Sequence, residues 1–126
     1  MPRSQPRVHI RQIRNALVIT ASGEFDIHER DLLHAAWAEA DDRALPLTVL
    51  DLAAVSFGDS SFLDALLRGR RLHHTAGRRL VLTGPLQPGI TMLLTLTGAL
   101  DLFEQADTVA QALDGDPTTD GTATAR

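Results

Sequence analysis

The apolar and polar positions of this chain change period several times. In VHIRQI, Val8 and Ile10 fall on one side and His9 and Arg11 on the other, the two-residue period of a half-exposed strand. Arg14-Asn15 can turn the chain, and ALVITA, Ala16 to Ala21, reads as a more buried strand paired with the first. Gly23, in SGEFD, is expected to break that strand. From His28 to Asp41 the spacing is helical, with Leu32, Leu33, Ala36, Trp37 and Ala40 on one stripe, and Pro46 cannot continue the helix. LTVLDL, Leu47 to Leu52, is too short for a core helix and predicts a central strand. A second helix is predicted from Asp59 to Thr75, with Leu63, Leu66 and Leu67 as its apolar face and Gly77 as its left-handed stop. RRLVLTG predicts another strand, closed by Gly84-Pro85. PGITMLLTLTG predicts a third helix with Ile90, Leu93 and Leu94 inward. LDLFEQAD reads as irregular or briefly extended, and Asp107 is expected to cap a last short helix ending near Leu113.

The resulting order, β-β-α-β-α-β-α-α, predicts an α/β fold. Strand-helix-strand units pair in parallel, and the first hairpin adds an antiparallel strand. The expectation is a mixed sheet of four to five strands with helices packed on it. One domain should span residues 8–113, between a flexible end at 1–7 and a disordered polar tail at 114–126.

Composition narrows the function classes. Of 126 residues, 44% are hydrophobic and 22% charged, which suits one soluble domain with a real core. The net charge of −4 offers nothing to a nucleic-acid backbone. The absence of cysteine excludes disulfides, thiolate catalysis and Cys-ligated zinc. No apolar run approaches membrane-spanning length, and the start does not read as a signal peptide. A cytoplasmic protein without membrane or nucleic-acid partners is the expectation.

The candidate chemistry lies in FGDSSFLDALL, residues 57–67. Asp59, just before a helix, can accept hydrogen bonds from unpaired first-turn N–H groups, and this alone accounts for Asp59, Ser60 and Ser61. The same turn joins the C-terminal end of a central strand to a helix start, where α/β proteins build sites. A phosphoryl group on a first-turn serine would add about −1.5 to −2 charges without breaking the helix. Other chemistries fit poorly. His73 and His74 lie three turns from Ser61, too far for a nucleophile relay, and there is no Gly-x-Ser-x-Gly elbow. His28, His34, His73 and His74 lack metal-ligand spacing and read as solvated surface. Asp26, Asp51 and Asp59 lie near strand ends as in a phospho-aspartate receiver, but the chain has no lysine to serve one. Arg68, Arg70 and Arg71 read as a solvated face. The expectation is a protein that is not an enzyme and needs no cofactor or metal.

The segment LTVLDLAAVSFGDSSFLDALLRGRRLHHTAGRRLVLTGP resembles the STAS-domain family, and more narrowly the bacterial anti-sigma factor antagonists. GEFD, Gly23 to Asp26, is similar to the family's Gly-Glu-Leu-Asp turn. LLTLTGALDLF is similar to its Leu-x-Leu-x-Gly-Leu-x-x-Leu-Phe stretch. The resemblance implies a STAS fold and a protein-binding switch. The unphosphorylated antagonist would bind an anti-sigma factor with serine-kinase activity and so release a sigma factor. Phosphorylation would end the complex, and a phosphatase would reset it. Ser61 matches the phosphoacceptor, with Ser60 the second choice. Glu24, Asp26, Asp59, Ser60, Ser61 and Phe62 match the partner-binding neighbourhood. Phe62 departs from the family, which carries glycine there. A large ring beside Ser61 could block a kinase or anchor a partner, and its place at a helix start predicts partial exposure. The resemblance also admits another role, as a regulatory or structural subunit of a membrane transporter ATPase without phosphorylation, and it leaves a homodimer open.

Overall fold

A computed structural model describes residues 5–115. Strands β1 (Arg7–Ile13) and β2 (Ala16–Phe25) form the expected antiparallel hairpin. A 3-10 turn, Ile27–Glu29, leads into α1 (Arg30–Arg43). Then come β3 (Leu47–Gly58), α2 (Ser60–Ala76), β4 (Arg79–Thr83) and α3 (Pro88–Leu96). A second 3-10 turn, Leu100–Leu102, precedes β5 (Glu104–Ala106) and α4 (Val109–Asp114). The sheet order is β1-β2-β3-β4-β5, with every pair after the hairpin parallel. This is the predicted mixed α/β sheet, with LDLFEQAD supplying the fifth strand.

The central strands are apolar on both sides because both sides are covered. Leu17, Ile19, Leu50, Leu52 and Leu82 join a core with Leu33 and Trp37 of α1, Leu66 of α2, and Ile90 and Leu94 of α3. The intervening Ala16, Val18, Leu47, Val49 and Val81 pack against Ala112 of α4. Among the described residues, no helix is long and apolar enough to cross a membrane.

Several expectations are corrected. Gly23 does not end β2. It takes φ 93° at a shift in the β2–β3 register, and the strand continues to Phe25. A Cβ there would lie 2.8 Å from the carbonyl carbon of Gln5, so close backbone approach also favours glycine. β3 runs six residues past Leu52, and this extension pairs with the end of β2 through Phe25 and Gly58. Leu32, placed on the inner stripe of α1, is exposed. Thr108, not Asp107, caps α4, accepting from Gln111 N at 3.1 Å. β1 already includes Arg7, while residues 1–4 and 116–126 of the two expected loose ends lie outside the described residues.

The inner face of α2 is Phe62, Ala65, Leu66, Gly69 and His73, with Leu63 and Leu67 only half-buried. His73 is therefore not solvated surface: it is 2% exposed. Its Nδ1 lies 2.7 Å from Gly69 O, which can only accept, so Nδ1 carries the proton. Nε2 then accepts from the Thr48 hydroxyl at 2.8 Å. Trp37 stands edge-on to this imidazole and donates Nε1–H to Ala65 O at 2.9 Å. Burial holds the His73 pKa below its ordinary 6.5. The bond to Gly69 O opposes that shift, nearby Arg78 adds to it, and Asp41 opposes it.

Candidate functional site

Asp59 is the N-cap of α2, in extended backbone at φ −107° and ψ −165°. Its Oδ1 accepts from Ser61 N at 2.9 Å and Phe62 N at 3.2 Å, and its carbonyl accepts from Leu63 N at 3.0 Å. The cap thus occupies amide groups that a helix start would otherwise leave open. Asp59 N donates to Phe25 O at 3.3 Å, which ties the turn to the end of β2. Ser60, the first helical residue, is exposed; Ser61 is half-buried.

Asp26 follows directly on β2. Its Oδ1 accepts from His28 N at 2.9 Å, and its own N–H donates to Glu29 Oε1 at 3.2 Å. These bonds hold the 3-10 turn that carries Ile27. Glu24 lies opposite Phe57 in the β2–β3 register. The C-terminal ends of β2 and β3 therefore lie beside the start of α2, which places Glu24, Asp26, Asp59, Ser60 and Ser61 at one end of the sheet. Of the three carboxylates, Asp59 is the one bonded to the serine-bearing helix start.

Phe62 is not part of that surface. Expected to be partly exposed, it is 1% exposed, with its ring centroid 5.5 Å from that of Phe25. The expectation assumed little core beneath a helix start at a sheet edge. The long β3 and the bulged end of β2 place Phe25 and Gly58 there instead. Two residues that sequence reasoning missed are exposed on the segments leading into this site: Phe57 at 47% and Ile27 at 56%. Phe57 escaped notice because the strand was ended at Leu52; continuing it to the turn would have put an aromatic on the sheet edge.

His73 cannot serve Ser61 in a hydrolytic relay. His73 is twelve residues beyond Ser61 on the same helix, about 18 Å along its axis at 1.5 Å per residue. Among the described residues, no group of three or more His, Cys, Asp or Glu could hold a metal ion.

The fold has counterparts among known proteins. An anti-sigma factor antagonist from Mycobacterium paratuberculosis is 26% identical, with a TM-score of 0.73 over 86% of this chain and 92% of that one. RsbS from Moorella thermoacetica, in a variant form, is 24% identical, with a TM-score of 0.74 over 86% and 92%. The Bacillus cell-fate determinant SpoIIAA in its phosphorylated form is 23% identical, with a TM-score of 0.66 over 86% and 97%. No curated protein sequence matches the chain. A family model described as Mlab, STAS domain, matches residues 8–104, and with that span the chain belongs to the STAS-domain family.

Proposed function

We propose that this protein is a cytoplasmic anti-sigma factor antagonist, switched by phosphorylation of Ser61. The observation that carries the reading is the Asp59-capped turn, which starts α2 with an exposed Ser60 and a half-buried Ser61 and is tied to the end of β2 through Phe25 O. The likeness to an anti-sigma factor antagonist and to a phosphorylated SpoIIAA supports it. In the unphosphorylated state this edge binds an anti-sigma factor with serine-kinase activity, and the sigma factor is released. Phe57 and Ile27 supply apolar contact, the kind of exposed anchor that dominates protein interfaces.

The local hydrogen bonds explain how a phosphoryl group acts. Asp59 already holds the amides of Ser61 and Phe62, so a phosphate on Ser61 does not find those donors free. Its charge adds to that of Asp59 at the helix start, where it changes what a partner meets. Because the Phe62 ring turns inward, it is not the obstacle to a kinase that the departure from the family's glycine suggested. A phosphatase returns the surface to its binding state.

The test is a pull-down from the native cell with the turn's phosphorylation read by mass spectrometry. Capture of an anti-sigma kinase by the unphosphorylated form, with phosphate found on Ser61, is the expected result. Capture of a transporter ATPase with no phosphate on the turn would overturn this reading and assign the edge to a constitutive contact.

A further inference from the structure

We propose a second ligand site at the other end of α2: a cavity of about 260 Å³ that takes the phosphoryl group of a small phosphorylated molecule. Its walls carry Arg70 and His74 of α2, Arg78 and Arg79 at the start of β4, and Phe103 and Glu104 at the start of β5. Three arginines thus face one glutamate, in a chain whose net charge is −4. Cations outnumber the one carboxylate in this lining, an excess that favours an anionic ligand.

Part of this charge is already engaged. Arg79 pairs with Glu104, and Arg78 Nη2 bonds Asp41. One guanidinium remains. Arg70 Nε donates to Leu102 O at 2.8 Å, which fixes the guanidinium, yet among the described residues Arg70 has no carboxylate partner. Its Nη donors, held in place without an anion, suit a tetrahedral oxyanion, which a planar guanidinium edge can bind bidentately. Helix termination does not account for them. The carbonyls of His73 and His74 at the end of α2 already accept from the N–H groups of Arg78 and Gly77. Phe103 and the exposed Leu102 provide an apolar wall for the organic part of the ligand. Arg70 lies nine residues past Ser61, about 14 Å along the helix, so this site stands apart from the serine turn.

The test titrates inorganic phosphate and phenyl phosphate into the protein while NMR follows Arg70 Nε and the His74 ring. Saturable shifts are expected for both, with dissociation constants of roughly millimolar order. Phenyl phosphate should bind several-fold tighter through the Leu102–Phe103 wall. Arg70→Gln should weaken both by about tenfold, the scale of one charge-assisted hydrogen bond. Arg71→Gln, exposed on the same helix, should leave them unchanged, and backbone spectra check that both variants are folded. Shifts that do not saturate, shifts that sodium chloride reproduces, or equal weakening by the two variants would overturn the site. Equal affinity for the two probes would overturn the small-molecule part and assign the cavity to free phosphate.

Discussion

Gly58 makes room for Phe62. A Cβ on residue 58 would lie 2.7 Å from Cγ of the Phe62 ring, inside any real contact distance. The large residue after the serines and the absent side chain before Asp59 therefore form one packing unit, closed below by Phe25. Gly58→Ala should push the ring from its seat and destabilise the fold by about 1–3 kcal/mol, the cost of overpacking. Phe62→Ala should cost about 3–5 kcal/mol, as for other buried rings. In the double variant the alanine methyl at 58 meets no ring, so the two costs should fall short of their sum by about 0.5–3 kcal/mol. Urea denaturation of the four proteins gives the cycle; strict additivity would mean that the two positions do not share this space.

Gly69 offers a second test, because two effects oppose each other there. Glycine inside a helix costs about 1 kcal/mol relative to alanine, so propensity alone favours Gly69→Ala. But a Cβ at 69 would lie 2.8 Å from Cη2 of Trp37, whose indole is fixed by its bond to Ala65 O. The indole is no flexible chain end that could step aside. Overpacking should win, leaving the variant about 1 kcal/mol less stable. A raised melting temperature would show that Trp37 yields.

These two glycines mark how far the sequence could be read. Asp59 and Gly77 announced the ends of α2 because capping chemistry is local. The strand and helix order followed from periodicity, and the STAS resemblance was legible in three stretches and in that order of elements. What was not legible depends on contacts distant in sequence. The inward turn of Phe62 needs Gly58 beneath it and Phe25 from another strand. The burial of His73 needs Thr48, twenty-five residues earlier, to satisfy its second nitrogen. A histidine pair late in an amphipathic helix otherwise reads as surface. Leu32 fits a helical stripe, yet α1 turns it outward. The carboxylates expected at the site could be named from the sequence, while Phe57 became visible only once β3 reached the turn and Ile27 only with the 3-10 turn after β2.

Burial of His73 makes stability depend on pH. Its folded-state pKa lies below the 6.5 of the unfolded chain, so below pH 6.5 the unfolded state binds more protons. The stabilisation is fully present above pH 6.5 and is lost as pH falls from there through the folded value. Protonated Nε2 would also have to donate to Thr48, whose hydroxyl would need a new acceptor. Urea midpoints should therefore fall between pH 7 and pH 5, and His73→Gln, which cannot titrate, should flatten that fall. An equally steep fall in the variant would assign it to other groups.

Phe57 and Ile27 should separate binding from folding. Both are exposed, so truncation to alanine should change stability by no more than about 0.5 kcal/mol. As interface anchors they should each cost about 1–3 kcal/mol of affinity for the anti-sigma partner. Calorimetric titration beside a denaturation curve reads both quantities. Affinity loss without stability loss is the expected pattern, and unchanged affinity in both variants would move the interface away from this edge.

The charge on the serine turn is the most direct test of the switch. Ser61→Asp places a carboxylate in the first turn of α2, where the helix dipole favours negative charge by about 0.3–1 kcal/mol. Stability should therefore hold or rise slightly, and a drop in binding cannot be blamed on unfolding. One carboxylate has only about half the charge of a phosphate. Against an added charge at an exposed edge, about 1 kcal/mol is the Coulomb scale, so affinity should fall about fivefold rather than vanish. Ser61→Ala should bind like the native protein and take up no phosphate from the kinase. Ser60→Asp, one residue earlier and more exposed, discriminates between the two serines. If it weakens binding while Ser61→Asp does not, and Ser61→Ala is still phosphorylated, the acceptor is Ser60. If none of the three changes binding or phosphate uptake, Asp59, Ser60 and Ser61 only start a helix and the switch lies elsewhere.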